Sequence, residues 1–382
     1  MIEMLFWLFL GIVFYIYVGY PLLAILLGIL FKREVSEDSE FRPSVTLIIS
    51  AFNEEDTIAD KLKNSIELDY PKELFRIIVV SDASDDRTDG LVREFGVREV
   101  ELFRLEERKG KSYGITQAMR SITSDIVVFS DANAMYNRDA ILELVKYFAD
   151  PEIGYVVGNA QYYKNIQSKA GLQEQRYWSF ELLLKNYESM FGSVVGGDGA
   201  IYAIRHKLFI SLEEDDINDF VNPLQIILMG YRGVFNHKAI CHEHTATSFE
   251  KEFNRKRRIV NRSWRGLLKN SYVLNPLNSG LHAWQIISHK LLRWLGGVFI
   301  IMLFVMNLFL LNEGWFYMVT FSIQIMLFLS FVVGMMGVAF NIKTPSILLA
   351  SYYFIRVNVS SALGIIDNYL GRKYEIWATD RD

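Results

Sequence analysis

Asp131 closes an apolar run, Ile126-Val127-Val128-Phe129-Ser130, and Asn133 follows two residues later. β-Branched and aromatic residues in succession predict a strand buried on both faces, and a parallel sheet presents its ligands at the carboxyl ends of such strands. The two side chains offer oxygens on one side of an extended turn, which suits a hard cation shared with substrate phosphates; they equally suit an Asx turn. Asp82 ends a second apolar run, and Asp219 opens a helical stretch that runs to Met229, with Asp215 and Asp216 nearby. A carboxylate at a helix start has its pKa lowered by the dipole, so Asp219 is expected to be ionised and able to accept a proton. Lys109 and Lys111 flank Gly110 on a turn that faces either phosphate or solvent, and Gly196, Gly197 and Gly199 let the backbone around Asp198 approach a ligand closely. His242 and His244 flank Glu243, where one imidazole could complete a metal site or serve structure.

The elements that must carry these groups alternate. Strands are expected at 44–50, 76–81, 99–104 and 126–131, with helices at 58–66 and 112–120 between them. Strands alternating with helices describe a doubly wound α/β sheet that binds nucleotide at its carboxyl edge.

With 51% hydrophobic and 14% aromatic residues, the 382-residue chain can build one sizeable soluble domain plus something else. Leu5 to Leu30 is about 26 residues, roughly 39 Å as a helix, enough to cross a hydrocarbon core once with tilt. Glu3 precedes it and Lys32-Arg33 follow it, which reads as a retained anchor over 1–31 with the next domain in the cytoplasm. Residues 280–294 read as an interfacial amphipathic helix, 295–366 as two or three further spans (295–311, 315–340 and, with Arg356 and Asn358 near its middle, 347–366), and 367–382 as a tail on the cytosolic side. The net charge of -4 argues against nucleic acid, and a single cysteine, Cys241, excludes a disulfide framework.

Ile49-Ser50-Ala51-Phe52-Asn53-Glu54-Glu55, Val80-Ser81-Asp82-Ala83-Ser84-Asp85-Asp86, Lys109-Gly110-Lys111 and Ser130-Asp131-Ala132-Asn133 follow one another in an order that resembles family 2 glycosyltransferases. More closely, the chain looks like the membrane-embedded members that include hyaluronan, cellulose and poly-N-acetylglucosamine synthases, from about 42 to 270. The resemblance implies an α/β fold of GT-A type, a doubly wound mixed sheet with N- and C-terminal transmembrane helices. It also implies a multi-pass protein of the cytoplasmic membrane, whose activity is inverting transfer from a nucleotide sugar, a UDP-sugar by family habit, to a polysaccharide or lipid-linked acceptor.

Residue by residue, the resemblance gives Phe52, Asn53, Glu54 and Asp82 to the nucleotide, Lys109 and Lys111 to its phosphates, and Asp131 with Asn133 to Mg2+ or Mn2+. Asn133 stands where the motif has a second Asp, which removes a charge. Gly197, Asp198 and Gly199 would border the acceptor, and Asp219 would be the base, with Asn218 in place of the family's Glu. Arg255 and Arg258 would pair with diphosphate, or the basic run they sit in would meet anionic lipid. Arg255 replaces a Gln and Ile259 a Trp of the processive synthases' motif, which argues against processive elongation; Trp264 would take the missing acceptor-side Trp's place. The same departures leave a second reading, a non-catalytic assembly subunit.

Overall fold

The computed structural model describes residues 1–96, 100–163, 168–245 and 247–374, so the tail residues Trp377 to Arg381 and the start of the expected third strand, Glu99, lie outside the described residues. Eight strands form one mixed sheet: β1 (Val45–Ala51), β2 (Phe75–Ser81), β3 (Val100–Arg104), β4 (Ile126–Asp131), β5 (Met135–Tyr136), β6 (Ile153–Tyr162), β7 (Tyr202–Arg205) and β8 (Arg232–Glu243). Their order is β3-β2-β1-β4-β7-β6-β8-β5. The first four are parallel to one another, and β7 enters antiparallel between β4 and β6. The expected strands and the α/β class are therefore present, in the mixed form.

Alternation along the central strand builds a core on each face. Val45, Leu47 and Ile49 pack with Ile58 and Leu62 of α1 (Ile58–Ile66), Val92 of α2 (Thr88–Glu94) and Leu144 of α3 (Ala140–Val145). Ile48, on the other face, shares a core with Ile115 of α4 (Lys111–Met119), Leu224 of α5 (Asn218–Leu228) and Trp264 of α6 (Phe249–Lys269). Successive strand residues point to opposite faces, so one seven-residue strand with no exposed position serves both layers.

A long helix, α7 (Lys169–Phe191), joins this domain to apolar helices. Three helices are long and apolar enough to cross a membrane: α8 (Ile2–Leu30), α9 (Trp315–Ala339) and α10 (Ser346–Tyr369). The chain is a membrane protein on that ground. The stretch expected as a span at 295–311 is instead α11 (Gly296–Leu308), which at roughly 1.5 Å per residue is too short to cross alone. It forms a pair bent by 62° with α12 (Leu281–Trp294), the expected interfacial segment.

The apolar helices are bonded to the sheet domain rather than tethered to it. Tyr20 of α8 donates its hydroxyl to Glu188 of α7, and Asp367 of α10 accepts from Arg257 of α6. At Gly364 a Cβ would come to 2.6 Å from the Arg257 carbonyl, so α10 and α6 touch backbone to backbone there. Arg356, costly in a bare span, donates to Glu250 at 2.7 Å and to the Tyr352 hydroxyl at 3.0 Å.

Candidate active site

Register places the site. Asp131 ends β4 beside Ser50 of β1, while Ala51 lies beside Ser81 of β2, so the residues that follow these strands emerge at one edge. From the first turn of α4, the Lys111 ammonium donates to Asp131 Oδ1 at 2.5 Å. From the first turn of α5, Asp219 reaches the same spot. A Cβ built on Gly199 would lie 3.4 Å from Asp131 Oδ2, 3.4 Å from Asp219 Oδ2 and 3.5 Å from Lys111 Nζ. Two carboxylates and an ammonium thus surround one glycine.

The glycine turn lets α5 close on that point. Gly196 has φ +83°, the Gly197 N–H donates to the Asp219 carbonyl at 2.5 Å, and a Cβ at Gly197 would stand only 2.8 Å from that oxygen. Asp198 accepts from Lys185 of α7 at 3.1 Å. Asn218 and Asn222 both donate to the Tyr202 hydroxyl, at 2.8 and 2.9 Å, which pins the start of α5 to β7.

Asp219 departs from expectation in its electrostatics. Burial pushes its pKa above the usual carboxylate range, with Asp198 and Asp131 adding to the rise and Lys111 opposing it. A helix dipole alone would lower it, and burial wins because desolvation acts on the whole charge while the dipole is a fraction of one. Its Oδ1 is buried with no hydrogen-bond partner. The neighbouring acids are tied down elsewhere: Asp215 accepts from Arg265 and Lys269, each at 2.8 Å, and Asp216 from Lys269 at 3.1 Å.

The edge formed by β1 and β2 holds a second group. Asp82 accepts the N–H groups of Lys109 at 2.8 Å and Gly110 at 2.9 Å, which folds the basic turn back over the sheet. That turn lays the Arg108 guanidinium on the Phe52 ring, 3.6 Å from its centroid. Asn53, at φ +52°, donates to Asp85 at 2.6 Å and accepts from the Asp85 N–H at 3.1 Å. Glu54 is buried, and its carboxylate accepts from Thr57 at 2.7 Å. Lys109 is turned to Glu107, 2.8 Å away, whereas Lys111 faces the carboxylates.

A cleft of about 570 Å³ runs from Asp131, Asp198, Asp219 and Glu243 to Tyr17 of α8 and Phe354 of α10. Several expected residues are not on its wall. Phe52, Asn53, Glu54, Asp82, Lys109, Lys111, Asn133 and Arg258 do not line it. Arg255 does line it, with its guanidinium bonded to Glu174 and, at 2.8 Å, to Glu252. Trp264 is core, packed edge-on to Trp294 with centroids 6.3 Å apart, and Trp294 takes the place on the wall.

Glu243, Lys185 and Trp294 escaped the sequence reading. For Glu243 a signal existed, because alternate residues of a strand face opposite sides. His242 and His244 take one side, against the Tyr163 ring at 5.5 and 4.7 Å, which leaves Glu243 on the cleft. Burial, then Asp131 and Asp198, push the Glu243 carboxyl up to about 8. No pattern singled out Lys185 or Trp294.

Among the described residues no three His, Cys, Asp or Glu side chains converge as a protein cage for a metal. The donors present fit a hard cation held by few protein oxygens and completed by phosphates: Asp131 lines the cleft, with Lys111 on its Oδ1.

Residues 46–212 match the family model described as glycosyl transferase family 2. Over 225 residues the chain is 25% identical to the poly-beta-1,6-N-acetyl-D-glucosamine synthase of Staphylococcus aureus (strain MSSA476), covering 55% of this chain and 54% of that one. The synthase of the same name from Staphylococcus epidermidis is 24% identical over 168 residues, 43% of this chain and 40% of that one. The chain thus spans about half the length of the curated relatives it matches. A mannosyltransferase from Pyrobaculum calidifontis, solved in complex with GDP-Man and Mn2+, shares the fold at a TM-score of 0.71 and 21% identity, over 98% of this chain and 100% of that one. The segment over β1 to β7 is thus similar to family 2 glycosyl transferases, and the mixed sheet has the fold of GT-A type.

Proposed function

We propose that the chain moves a sugar from a nucleoside diphosphate sugar to an acceptor hydroxyl, with inversion, beside the cytoplasmic face of a membrane. The observation that carries this is the convergence of Asp131, Lys111 and Asp219 around Gly199, at the mouth of a cleft that continues to apolar helices. The acceptor oxygen forms a bond to the anomeric carbon as the bond from that carbon to the phosphate oxygen breaks. The diphosphate leaves with the electron pair, and the acceptor proton passes to Asp219, whose raised pKa makes it a better base than an exposed Asp. Asp131 would hold a divalent cation, Mg2+ or Mn2+, which supplies Lewis-acid stabilisation of the departing charge. Lys111 stands where it can exchange Asp131 for a phosphate oxygen, and Phe52, Asp82 and Arg108 offer a ring face, a carboxylate and a guanidinium to the nucleotide.

The acceptor is lipid-linked rather than a long polymer in this reading. Side chains of α8 and α10 line the cleft, Ile259 stands on its wall where processive synthases carry Trp, and Arg255 is engaged by two glutamates. Lys32 and Arg33 after α8 favour the cytoplasmic side for the sheet domain. The relatives' names suggest N-acetylglucosamine and the fold neighbour's suggests mannose, so both UDP- and GDP-sugars belong in the test. Purified full chain in lipid, supplied with a donor panel, Mg2+ or Mn2+ and a membrane lipid extract, is expected to release nucleoside diphosphate from one donor and to stop in chelator. Turnover unaffected by chelator would mean that Asp131 does not act through a cation, and a high polymer product would replace the single-transfer reading.

A further inference from the structure

The far end of the cleft differs in charge from the end that holds Asp131. Arg176, Lys256, Lys290 and Arg293 line it, with Glu181 as the carboxylate on that wall among the described residues. Glu181 is already shared, accepting from Arg293, from Lys290 at 3.4 Å and from His289 at 3.2 Å. Lys256 reaches a carboxylate only at 3.7 Å, that of Glu252, which also serves Arg255. Arg176 is exposed, but Lys256, Lys290 and Arg293 are largely buried, so positive charge is in excess on a mostly dry wall, which favours an anion.

The arrangement is built on an aromatic floor. Lys256 lies 4.1 Å from the centroid of the Tyr177 ring and Arg293 lies 5.0 Å from it, so one ring holds both cations. The Tyr353 ring of α10 packs 6.1 Å from Tyr177. Beyond it the same cleft is walled by Ala350, Phe354 and Val357 of α10 and by Tyr17 of α8. Cations thus give way to apolar side chains on helices long enough to cross a membrane.

We infer that this end is a binding site for the phosphate headgroup of an amphiphile, with the phosphate on Lys256, Lys290 and Arg293 and its apolar tail along α10. The inference rests on the transfer reading and names the acceptor's class: a lipid phosphate or diphosphate, reached through the membrane side of the cleft. The donor's own phosphates belong at the other end, beside Asp131 and Lys111.

Full chain in phosphatidylcholine nanodiscs, titrated with farnesyl phosphate, farnesol and inorganic phosphate, tests it. Farnesyl phosphate is expected to bind most tightly, and Lys256→Met to weaken it roughly tenfold or more, the size of one lost charge-assisted hydrogen bond, with Lys256→Arg restoring it. Nucleoside diphosphate binding in Mn2+, measured on the same samples, is expected to be unchanged in both variants. Equal affinity for farnesol, or no change in Lys256→Met, overturns the inference. Inorganic phosphate binding as tightly as farnesyl phosphate makes it a free-anion site, and competition by phosphatidylglycerol in the nanodisc makes it a bulk-lipid contact; both also overturn it. Loss of nucleoside diphosphate binding in the wild type with farnesyl phosphate retained would instead sink the transfer reading.

Discussion

Two glutamates line one cleft and are pushed in opposite directions. Burial, then the neighbouring Asp131 and Asp198, drive the Glu243 carboxyl up to about 8. Burial also works against Glu181, yet Arg293, Lys290 and His289 outweigh it and hold that carboxyl well below its usual range. Desolvation is common to both, so the sign is decided by the charge next door. At one end the carboxylates of Asp131, Asp198, Asp219 and Glu243 outnumber the ammonium groups of Lys111 and Lys185, which suits a cation, while the other end is rich in positive charge and suits an anion. A donor with its cation at one end and an anionic acceptor at the other is the use that division allows.

The largest expected effect breaks the acidic end. Asp219→Asn removes the proton acceptor while keeping the shape, so transfer should fall by roughly 10²- to 10⁴-fold with donor affinity unchanged. Steady-state turnover together with nucleotide titration checks it, and activity within a few-fold of wild type would put the base elsewhere. In wild type, kcat/KM should fall as pH drops through the raised Asp219 pKa, because only the ionised form accepts a proton.

Breaking the other end should be felt first in folding. Glu181→Gln leaves Arg293 and Lys290 facing each other without their buried carboxylate, and removing one partner of such a network costs roughly 3–5 kcal/mol. Denaturation in detergent should show a lower midpoint for this variant than for Glu243→Gln. Equal midpoints would mean that the two ends do not differ as described.

The two ends also differ in how far they could be read from sequence. Asp131, Lys111, Asp82 and Gly197 to Gly199 sit at strand ends or turns, where an apolar run fixes the strand and the sheet fixes the edge. Periodicity places them at one sheet edge, and the resemblance of the ordered motifs is what joins them into one site. Glu243 is accessible by the same rule, though two histidines beside it draw the eye first. Arg255, Arg258 and Trp264 sit on a helix, where the face turned to the cleft depends on the angle at which α10 and α12 pack, and a local motif cannot supply that angle. Hence Trp264 goes to the core and Trp294, from a segment without a motif, reaches the cleft. Asn133, two residues past a strand end, lies on the turn beyond the cleft wall.

The helix assignments carry their own prediction. Trp264→Phe should lower stability by about 1–2 kcal/mol, as truncating a packed core side chain does, while leaving acceptor KM alone. Trp294→Phe, equally buried but on the cleft wall, should lower stability similarly and raise acceptor KM as well. The reverse pattern would restore Trp264 to the acceptor side.

The smallest effect concerns Glu243 itself and sharpens the contrast between the ends. Its proton is held in the folded chain up to about pH 8, against an ordinary value near 4.5 when unfolded. Below the lower value both states are protonated and the residue is neutral to stability. Between the two values the unfolded chain releases a proton that the folded chain keeps, so stability falls as pH rises, and above about 8 the loss levels off. Glu243→Gln, uncharged throughout, should flatten this slope, with a melting temperature a few degrees above wild type at about pH 8.5 in chelator and little difference at about pH 5. Adding Mn2+ should narrow the gap at the higher pH, because a cation on Asp131 offsets the negative charge that helps to keep Glu243 protonated. A gap that Mn2+ leaves untouched would show that Glu243 responds to burial alone, and that the acidic end is not electrically one site.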